Sequence, residues 1–249
     1  SLSPLALDAV GEVVAGTVEK SFEALPLFRQ SLLKMGNTEI ANEFAGLHAA
    51  LLENGSEATA SYLEKLGVSG QSFSSAEEVS EIAKSHGRIL DEIKNVETST
   101  FNGDVTRAIS KAGLENGVIV ERTAEDVMKI LPANFMKDHR YTLGGELGEA
   151  ALYTTTGLDA KSIIMRELDA SSDAQLLFQT KSVSLQKVLD LTNPRVIKTL
   201  GLTSQSLIEA ENYQITQVLG DVAIRSGYDA ILAPSQYSSG LNLVILRPL

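Results

Sequence analysis

Cysteine is absent from the sequence. The chain therefore has neither disulfide bonds nor thiolate metal ligands, and a cysteine nucleophile is excluded, while the redox compartment is left open. Histidine is scarce, because the chain has only His48, His86 and His139, and no two of them have the spacing of a helical metal-binding pair. The sequence predicts no metal site.

Long apolar runs are missing as well. No stretch of about 18 uncharged apolar residues is present, and no basic segment followed by an apolar one marks a secretory signal. We therefore expect a soluble protein without a membrane segment. Because the chain begins at Ser1, we also expect it to be a processed or shortened form of a longer protein.

Positive charge is in short supply. The net charge is −11, and residues 1–132 contain 20 acidic side chains against 11 basic ones, whereas residues 133–249 contain 12 against 10. Binding to phosphate backbones or anionic lipid requires clustered lysine and arginine. We therefore expect no nucleic-acid partner and no membrane partner.

What is present is a chain of 249 residues, 43% of them hydrophobic, which is enough to bury a core. Up to about residue 130 the apolar residues recur at helical spacing, which predicts a mostly helical, acidic region over residues 1–130. The segments that predict helices are residues 5–25, "TEIANEFAGLHAALLENG", "SSAEEVSEIAKSHGRILDEIKNVE" with a capping-box spacing from Ser75 to Glu78, and a short one after Thr123 in "TAEDVMKILP".

The second half of the sequence has a different pattern. Short apolar runs typical of strands alternate with polar helical stretches such as "ENYQITQVLGDVAIRSG". The runs are "AALYTT", "SVSL", "KVLDL", "DAILAP" and "LNLVIL". The sequence therefore predicts an α+β fold, in which a helical region is followed by a mixed α/β domain over residues 131–249.

Three stretches of this second half resemble the RES family, which is named for its Arg, Glu and Ser. They are "HRYTLGGELGEAALYTTTGLDAKSIIMRELDA", "VLDLTNPRVIKTLGLT" and "YQITQVLGDVAIRSGYDAILAPSQYSSGLNLVIL". The resemblance covers residues 139–246 and leaves the acidic helical region unassigned. It implies a catalytic domain with an ADP-ribosyltransferase-like fold that consumes NAD.

The family motif also implies a set of site residues. Its order of Arg, aliphatic–Tyr, helical Glu and Pro-Ser falls on Arg140, Tyr153, Glu167 and Ser235, and Asn242 in the last strand is a further substrate-binding candidate. The glycines follow Arg140 here, whereas the family often places them before the arginine. The resemblance implies Glu167, Arg140 and Tyr153 as catalytic residues, and Arg140, Tyr153, Ser235 and Asn242 as residues that bind the substrate.

The chemistry of NAD cleavage explains why these residue types are needed. Breaking the nicotinamide–ribose bond produces an oxocarbenium-like ribosyl cation, which a nearby carboxylate such as Glu167 stabilises. Arg140 would grip the diphosphate through its planar donors, and Tyr153 would present its ring to the nicotinamide or ribose. Pro234 restricts the backbone before Ser235, so that the serine hydroxyl is presented at a strand end to ribose or phosphate.

Each of these residues also has a plainer interpretation. Glu167 could belong to a solvated helix face, and Arg140 to the protein surface. Tyr153 could be a residue at the edge of the core, and Ser235 a turn serine. A serine-hydrolase role for Ser235 is disfavoured because the Gly-x-Ser-x-Gly pattern is absent.

The resemblance implies a bacterial toxin or effector that acts as an NAD glycohydrolase, a phosphorylase or an ADP-ribosyltransferase. NAD is then its substrate, and no bound cofactor is expected. We also expect a cognate antitoxin or immunity protein, and action in the cytoplasm of the producing or target cell, with secretion as an effector fragment as one route. The alternative is a non-catalytic module that binds NAD or a protein through its helical region.

Overall fold

The computed structural model describes residues 56–68, 76–115, 118–130, 139–143, 150–170, 173–209, 213–236, 239–247 and 249, together with single positions between 33 and 45. The chain forms two compact units. Among the described ranges, the first unit comprises residues 56–68, 76–96, 139–143 and 213–222, and the second comprises the others from residue 97 onward.

The first unit is built from helices. They are α1 (Ser56–Val68), α2 (Ala76–Glu92) with a 3-10 turn at Ile93–Asn95, and the part of α6 (Tyr213–Arg225) that extends to residue 222. Apolar side chains recur at helical spacing along α2, and Val79, Ile82 and Ile89 are buried. The prediction of a helix in this segment is confirmed. Its Ser75 cap and the helix predicted over residues 5–25 lie outside the described residues, as do most positions of the helix predicted over residues 38–55.

A buried polar cluster joins the three helices. His86 is fully buried, its Nδ1 lies 3.0 Å from Thr59 Oγ1, and its Nε2 lies 3.0 Å from Asp221 Oδ2. Lys65 Nζ donates to the other oxygen of Asp221 at 3.3 Å, and the ring of Tyr62 stacks on His86 with centroids 5.2 Å apart. Because buried polar groups are costly unless they are paired, this cluster fixes the mutual register of the helices.

The second unit contains a closed barrel of five strands. The barrel strands are β1 (Ser99–Ser110), β4 (Leu152–Thr156), β5 (Leu176–Asp190), β6 (Ala230–Pro234) and β7 (Leu241–Ile245). Their order around the barrel is β1–β4–β7–β6–β5, and among these described strands only the β5–β6 pair is parallel. A separate hairpin is formed by β2 (Ala112–Glu115) and β3 (Val118–Glu121).

Short helices connect the strands of this unit. They are α3 (Ala160–Glu167), α4 (Pro194–Thr199) and α5 (Ser204–Ile208), with 3-10 turns at Ala124–Asp126 and Asp173–Gln175. Helix α3 packs against β1 and β4. Asn193 caps α4 through its side chain, and Pro194 occupies the first turn, where no backbone donor is needed.

All five strands contribute side chains to the barrel core. The buried members are Val105, Leu152, Val183, Val188, Ala230, Leu243 and Ile245. Because successive residues of a strand point to opposite faces, Tyr153, Thr155 and Asn242 lie on the other face from Leu152 and Leu243. The core therefore decides which side chains of β4 and β7 face away from the barrel interior.

The α+β fold predicted from the sequence is confirmed, since helices and a mixed sheet are both present. Strands lie where "AALYTT", "DAILAP" and "LNLVIL" predicted them, and "SVSL" and "KVLDL" belong to the single strand β5. The expectation of a mostly helical region up to about residue 130 is wrong for residues 99–110, 112–115 and 118–121, which form β1, β2 and β3. Strand β1 gains its partners from β4 and β5, far along the chain, and local periodicity does not report them.

The prediction of a helix after Thr123 is also wrong, because the helical part is much shorter than expected. Thr123 and Asp126 form the capping box, but the helical part is a single 3-10 turn, Ala124–Asp126. Nη1 of Arg107 donates to the carbonyl oxygens of Val127 at 2.8 Å and Lys129 at 2.9 Å. These are carbonyl groups that a continuing helix would use as its own acceptors, so the tertiary contact replaces the next turn.

Within the described ranges, no helix combines the length and the apolar character needed to cross a membrane. The same residues contain no group of three His, Cys, Asp or Glu side chains that could hold a metal ion.

Candidate active site

Glu167 is the last residue of α3, and the helix ends there for a local reason. The amide of Leu168 donates to Ile164, that of Asp169 to Arg166, and that of Ala170 to Met165. Asp169 adopts a left-handed conformation with φ of 48°, and this pattern is a common way for a helix to terminate. The Glu167 side chain is thereby placed at the exit of the helix.

The carboxylate of Glu167 is held by one of its two oxygens. Oε1 accepts a hydrogen bond from Ser235 Oγ at 2.6 Å and a second one from Asn242 Nδ2 at 3.0 Å. In the described part of the chain, no hydrogen bond reaches Oε2, and no lysine, arginine or histidine forms an ion pair with Glu167. Among the described residues, the carboxylate is therefore anchored by neutral donors at Oε1.

Ser235 comes directly after β6, which ends at Pro234. Its amide donates to the carbonyl of Gly240 at 2.9 Å, which closes the turn between β6 and β7. The residue is 5% exposed. The hydroxyl is therefore directed by the end of a strand and by the closure of the following turn, and it donates to Glu167.

Asn242 lies in β7, opposite Thr155 of β4 and Ala233 of β6. Its Oδ1 accepts a hydrogen bond from Thr155 Oγ1 at 3.1 Å, while its Nδ2 donates to Glu167. Asn242 was predicted from the sequence, whereas Thr155 was not. A signal was available, because strand alternation places Thr155 on the same face as Tyr153, two residues earlier.

Tyr153 is partly buried in β4 and lies opposite Val244. Two residues along a strand span roughly 6.7 Å, so the Tyr153 side chain leaves the sheet about that far from Thr155 and on the same side. The structure thus brings Glu167, Ser235 and Asn242 together in the second unit, and it places Tyr153 on the same sheet face as Thr155 and Asn242. The contact of Tyr153 with nicotinamide or ribose stays a prediction.

Arg140 belongs to the first unit, where its guanidinium lies over the ring of Tyr213, 5.3 Å from the ring centroid. The adjacent backbone lies along the same helix, since Gln217 Nε2 donates to the carbonyl of His139 at 3.1 Å. Gly220 allows this close approach, because a Cβ at that position would collide with the Tyr141 carbonyl. Participation of Arg140 in a site with Glu167 stays a prediction.

A second charged cluster of the second unit lines a cavity away from Glu167. Its charged members are Arg107, Glu121, Arg122, Asp126 and Lys129. Burial, and to a lesser degree the charge of Arg122, lowers the pKa of Arg107. Hydrogen bonds from Lys129 and from Thr123 lower the pKa of Asp126 to about 2. This cluster ties residues 123–130 to β1.

The geometry around Glu167 suits the stabilisation of positive charge. A carboxylate oriented by hydrogen bonds, with no cation paired to it in the described part, can stabilise a developing cation or accept a hydrogen bond from a hydroxyl group. Because Ser235 and Asn242 fix its orientation beforehand, little reorganisation is needed when charge develops. Enzymes that break glycosidic bonds also use oriented carboxylates, in most families as a pair.

No protein-family model matches the chain, and no curated protein matches it. Among solved structures, it is similar to a chain in the crystal structure of the M. tuberculosis MbcT–MbcA toxin–antitoxin complex. The two share 17% identity, the match covers 64% of this chain and 81% of that chain, and the TM-score is 0.43.

Proposed function

We propose that this chain cleaves the nicotinamide–ribose bond of NAD and acts as a toxin or effector. The observation that supports the proposal most strongly is the carboxylate of Glu167, which two neutral donors hold by Oε1. The order of Arg140, Tyr153, Glu167 and Ser235 in the sequence supports the same reaction.

In the proposed reaction the bond between ribose C1′ and the nicotinamide nitrogen breaks, and its electron pair leaves with nicotinamide, which becomes neutral. The ribose ring is left with an oxocarbenium-like positive charge, which the Glu167 carboxylate stabilises. When water is the acceptor, its oxygen bonds to C1′, and its proton passes to Glu167 or to solvent. ADP-ribose and nicotinamide are then the products.

The other residues bind and orient. Arg140 holds the diphosphate, for which a guanidinium offers paired donors, and Tyr153 packs its ring against nicotinamide or ribose. Ser235 and Asn242 orient Glu167; Ser235 also contacts ribose or phosphate, and Asn242 also binds the substrate. In this proposal Glu167 acts mainly in the transition state, whereas Arg140 acts mainly in binding.

An enzyme that destroys NAD must be restrained in the cell that makes it. We therefore propose a cognate antitoxin or immunity protein that blocks access to Glu167 and Ser235. Of the acidic region predicted over residues 1–130, we assign the part before β1, residues 1–98, to delivery or to partner binding, since the chemistry does not require its charge, whereas residues 99–110 belong to the barrel.

The test is to incubate the purified, folded full chain with NAD in the presence of EDTA and to identify the products by mass spectrometry. Nicotinamide with free ADP-ribose indicates water as the acceptor, ADP-ribose 1″-phosphate indicates phosphate, and labelled protein indicates transfer. The Glu167→Gln chain, prepared in parallel, controls for contaminating enzymes. If the wild-type chain neither depletes NAD nor labels protein, the non-catalytic binding module is the better description.

A further inference from the structure

We infer that Thr155 is a positioning residue that holds the Asn242 amide so that its NH2 group faces Glu167. The inference rests on the proposed function for its effect on turnover, but its structural part stands on hydrogen bonds alone. Thr155 is 3% exposed and belongs to β4, directly opposite Asn242 of β7.

The three residues form a directed chain of hydrogen bonds. Thr155 Oγ1 donates to Asn242 Oδ1 at 3.1 Å, and Asn242 Nδ2 donates to Glu167 Oε1 at 3.0 Å. An amide is planar, so fixing its oxygen also fixes the direction of its NH2 group. Thr155 therefore controls a donor to Glu167 without touching Glu167 itself.

The neighbouring threonines do not share this role. Thr154 Oγ1 donates to the carbonyl of Leu243 at 2.7 Å, and Thr156 Oγ1 donates to the carbonyl of Asp104 at 2.9 Å. Strand alternation directs both side chains away from the face of Thr155. Of the "TTT" run, Thr155 is the threonine whose hydroxyl bonds to a side chain that in turn bonds to Glu167.

The orientation of the Asn242 side-chain amide matters because the opposite orientation would remove the hydrogen bond to Glu167. A rotation of 180° would turn Asn242 Oδ1 toward Glu167 Oε1, so that two acceptors would face each other and a donor would be lost. As positive charge develops on the ribose during the reaction, the ribose competes with the Asn242 donor for the Glu167 carboxylate. The Thr155 hydroxyl keeps the Asn242 NH2 group in place in the transition state. Loss of this hydroxyl should therefore lower kcat more than it raises KM.

The first experiment compares NAD turnover by the full chain carrying Thr155→Val, Thr155→Ser or Thr154→Val. Loss of a neutral hydrogen bond is worth about 0.5–1.5 kcal/mol, so we expect Thr155→Val to lower kcat about two- to thirteenfold with KM nearly unchanged. Thr155→Ser keeps the hydroxyl and should restore kcat. Thr154→Val, an equally buried change, should leave kcat close to the wild-type value.

A wild-type kcat in the Thr155→Val chain would overturn the inference, and so would an equal loss in the Thr154→Val chain. If Thr155→Val does not fold, Thr155→Ala takes its place, because alanine removes the hydroxyl without adding bulk.

The second experiment does not depend on activity. The side-chain NH2 signals of Asn242 in a ¹⁵N-labelled full chain are assigned by their disappearance in Asn242→Ala, and their chemical shifts and exchange with solvent are measured. We expect the signals to move and to exchange faster in Thr155→Val, but not in Thr155→Ser or Thr154→Val. Unchanged signals in Thr155→Val would overturn the inference.

The two experiments separate the two proposals. If the wild-type chain does not cleave NAD, the proposed function fails, while the NMR comparison still decides whether Thr155 orients Asn242.

Discussion

Ser235 donates a hydrogen bond of 2.6 Å to Oε1 of Glu167, although the two residues are 68 positions apart in the sequence. Glu167 is the last residue of a helix, and Ser235 directly follows the last residue of a strand. Asn242 is the second donor to the same oxygen. Ser235 and Asn242 together hold the carboxylate of this helical glutamate in one orientation.

Replacement of Glu167 by glutamine tests the charge at the centre of the site. Glutamine keeps the size and an acceptor oxygen for Ser235 and Asn242, but it cannot stabilise a ribosyl cation as a carboxylate does. We expect Glu167→Gln to lower kcat by on the order of a hundredfold or more, with NAD affinity almost unchanged. Steady-state kinetics and calorimetric binding of NAD give the two quantities.

Glu209→Gln is the matched control, because Glu209 is exposed at the end of α5, and it should leave turnover unchanged. A wild-type rate in the Glu167→Gln chain would mean that Glu167 is not the catalytic carboxylate.

Arg140→Ala tests the predicted diphosphate clamp. Because a clamp contributes to the ground state as well as the transition state, we expect a higher KM and weaker NAD binding, with kcat affected less. Loss of one charged hydrogen-bonding group of this kind is worth about 1.5–3 kcal/mol, which corresponds to about ten- to a hundredfold in affinity. Unaltered NAD binding, measured by calorimetry, would remove Arg140 from the site.

Gly220→Ala tests the close approach of α6 to the backbone at Tyr141. Alanine favours a helix, but its Cβ would overlap the carbonyl of Tyr141, and backbone cannot move aside as a flexible side chain can. We expect a loss of about 1–3 kcal/mol in the free energy of unfolding, measured with urea. Gly103→Ala, whose Cβ would come no closer than 3.5 Å to the ring of Phe101, should change stability less; equal losses would contradict the argument.

Truncation tests how much of the chain the barrel requires. A chain that starts at residue 125 lacks β1, which pairs with β4 and with β5 along most of its length. Its removal exposes two strand edges and opens the barrel core. We expect the 125–249 fragment to show no cooperative thermal transition by circular dichroism, whereas the full chain shows one; a fragment that melts cooperatively and cleaves NAD would support a domain boundary near residue 130.

The lowered pKa of Asp126 predicts that the stability of the fold depends on pH. Its pKa is lowered from 3.8 to about 2 in the folded chain, so it stabilises the fold above the unfolded value and loses this contribution as pH falls toward 2. We expect Asp126→Asn to be slightly less stable than wild type near neutral pH, with the difference vanishing between about pH 4 and pH 2. Urea unfolding across this range measures it, and a difference that does not change with pH would be contrary to expectation.

Local sequence patterns determined much of the architecture. The apolar face of α2, the strands β4, β6 and β7, and the long helix α6 lie in segments whose periodicity predicted them. The reason is that each element buries one face, and the spacing of apolar residues records that face directly. The positions of Glu167 at a helix end and of Ser235 behind Pro234 are local in the same way.

Tertiary structure alone decided the features that depend on distant partners. Residues 99–110 become a strand because β4 and β5 supply their hydrogen-bond partners. The helical turn after Thr123 ends because Arg107 donates hydrogen bonds to the carbonyl groups that the next turn would use. Thr155 becomes part of the site only when the register of β4 and β7 places Asn242 opposite it. Hydrogen bonds between residues far apart in the chain leave no periodic trace in the sequence, so folding itself assembled the donors around Glu167.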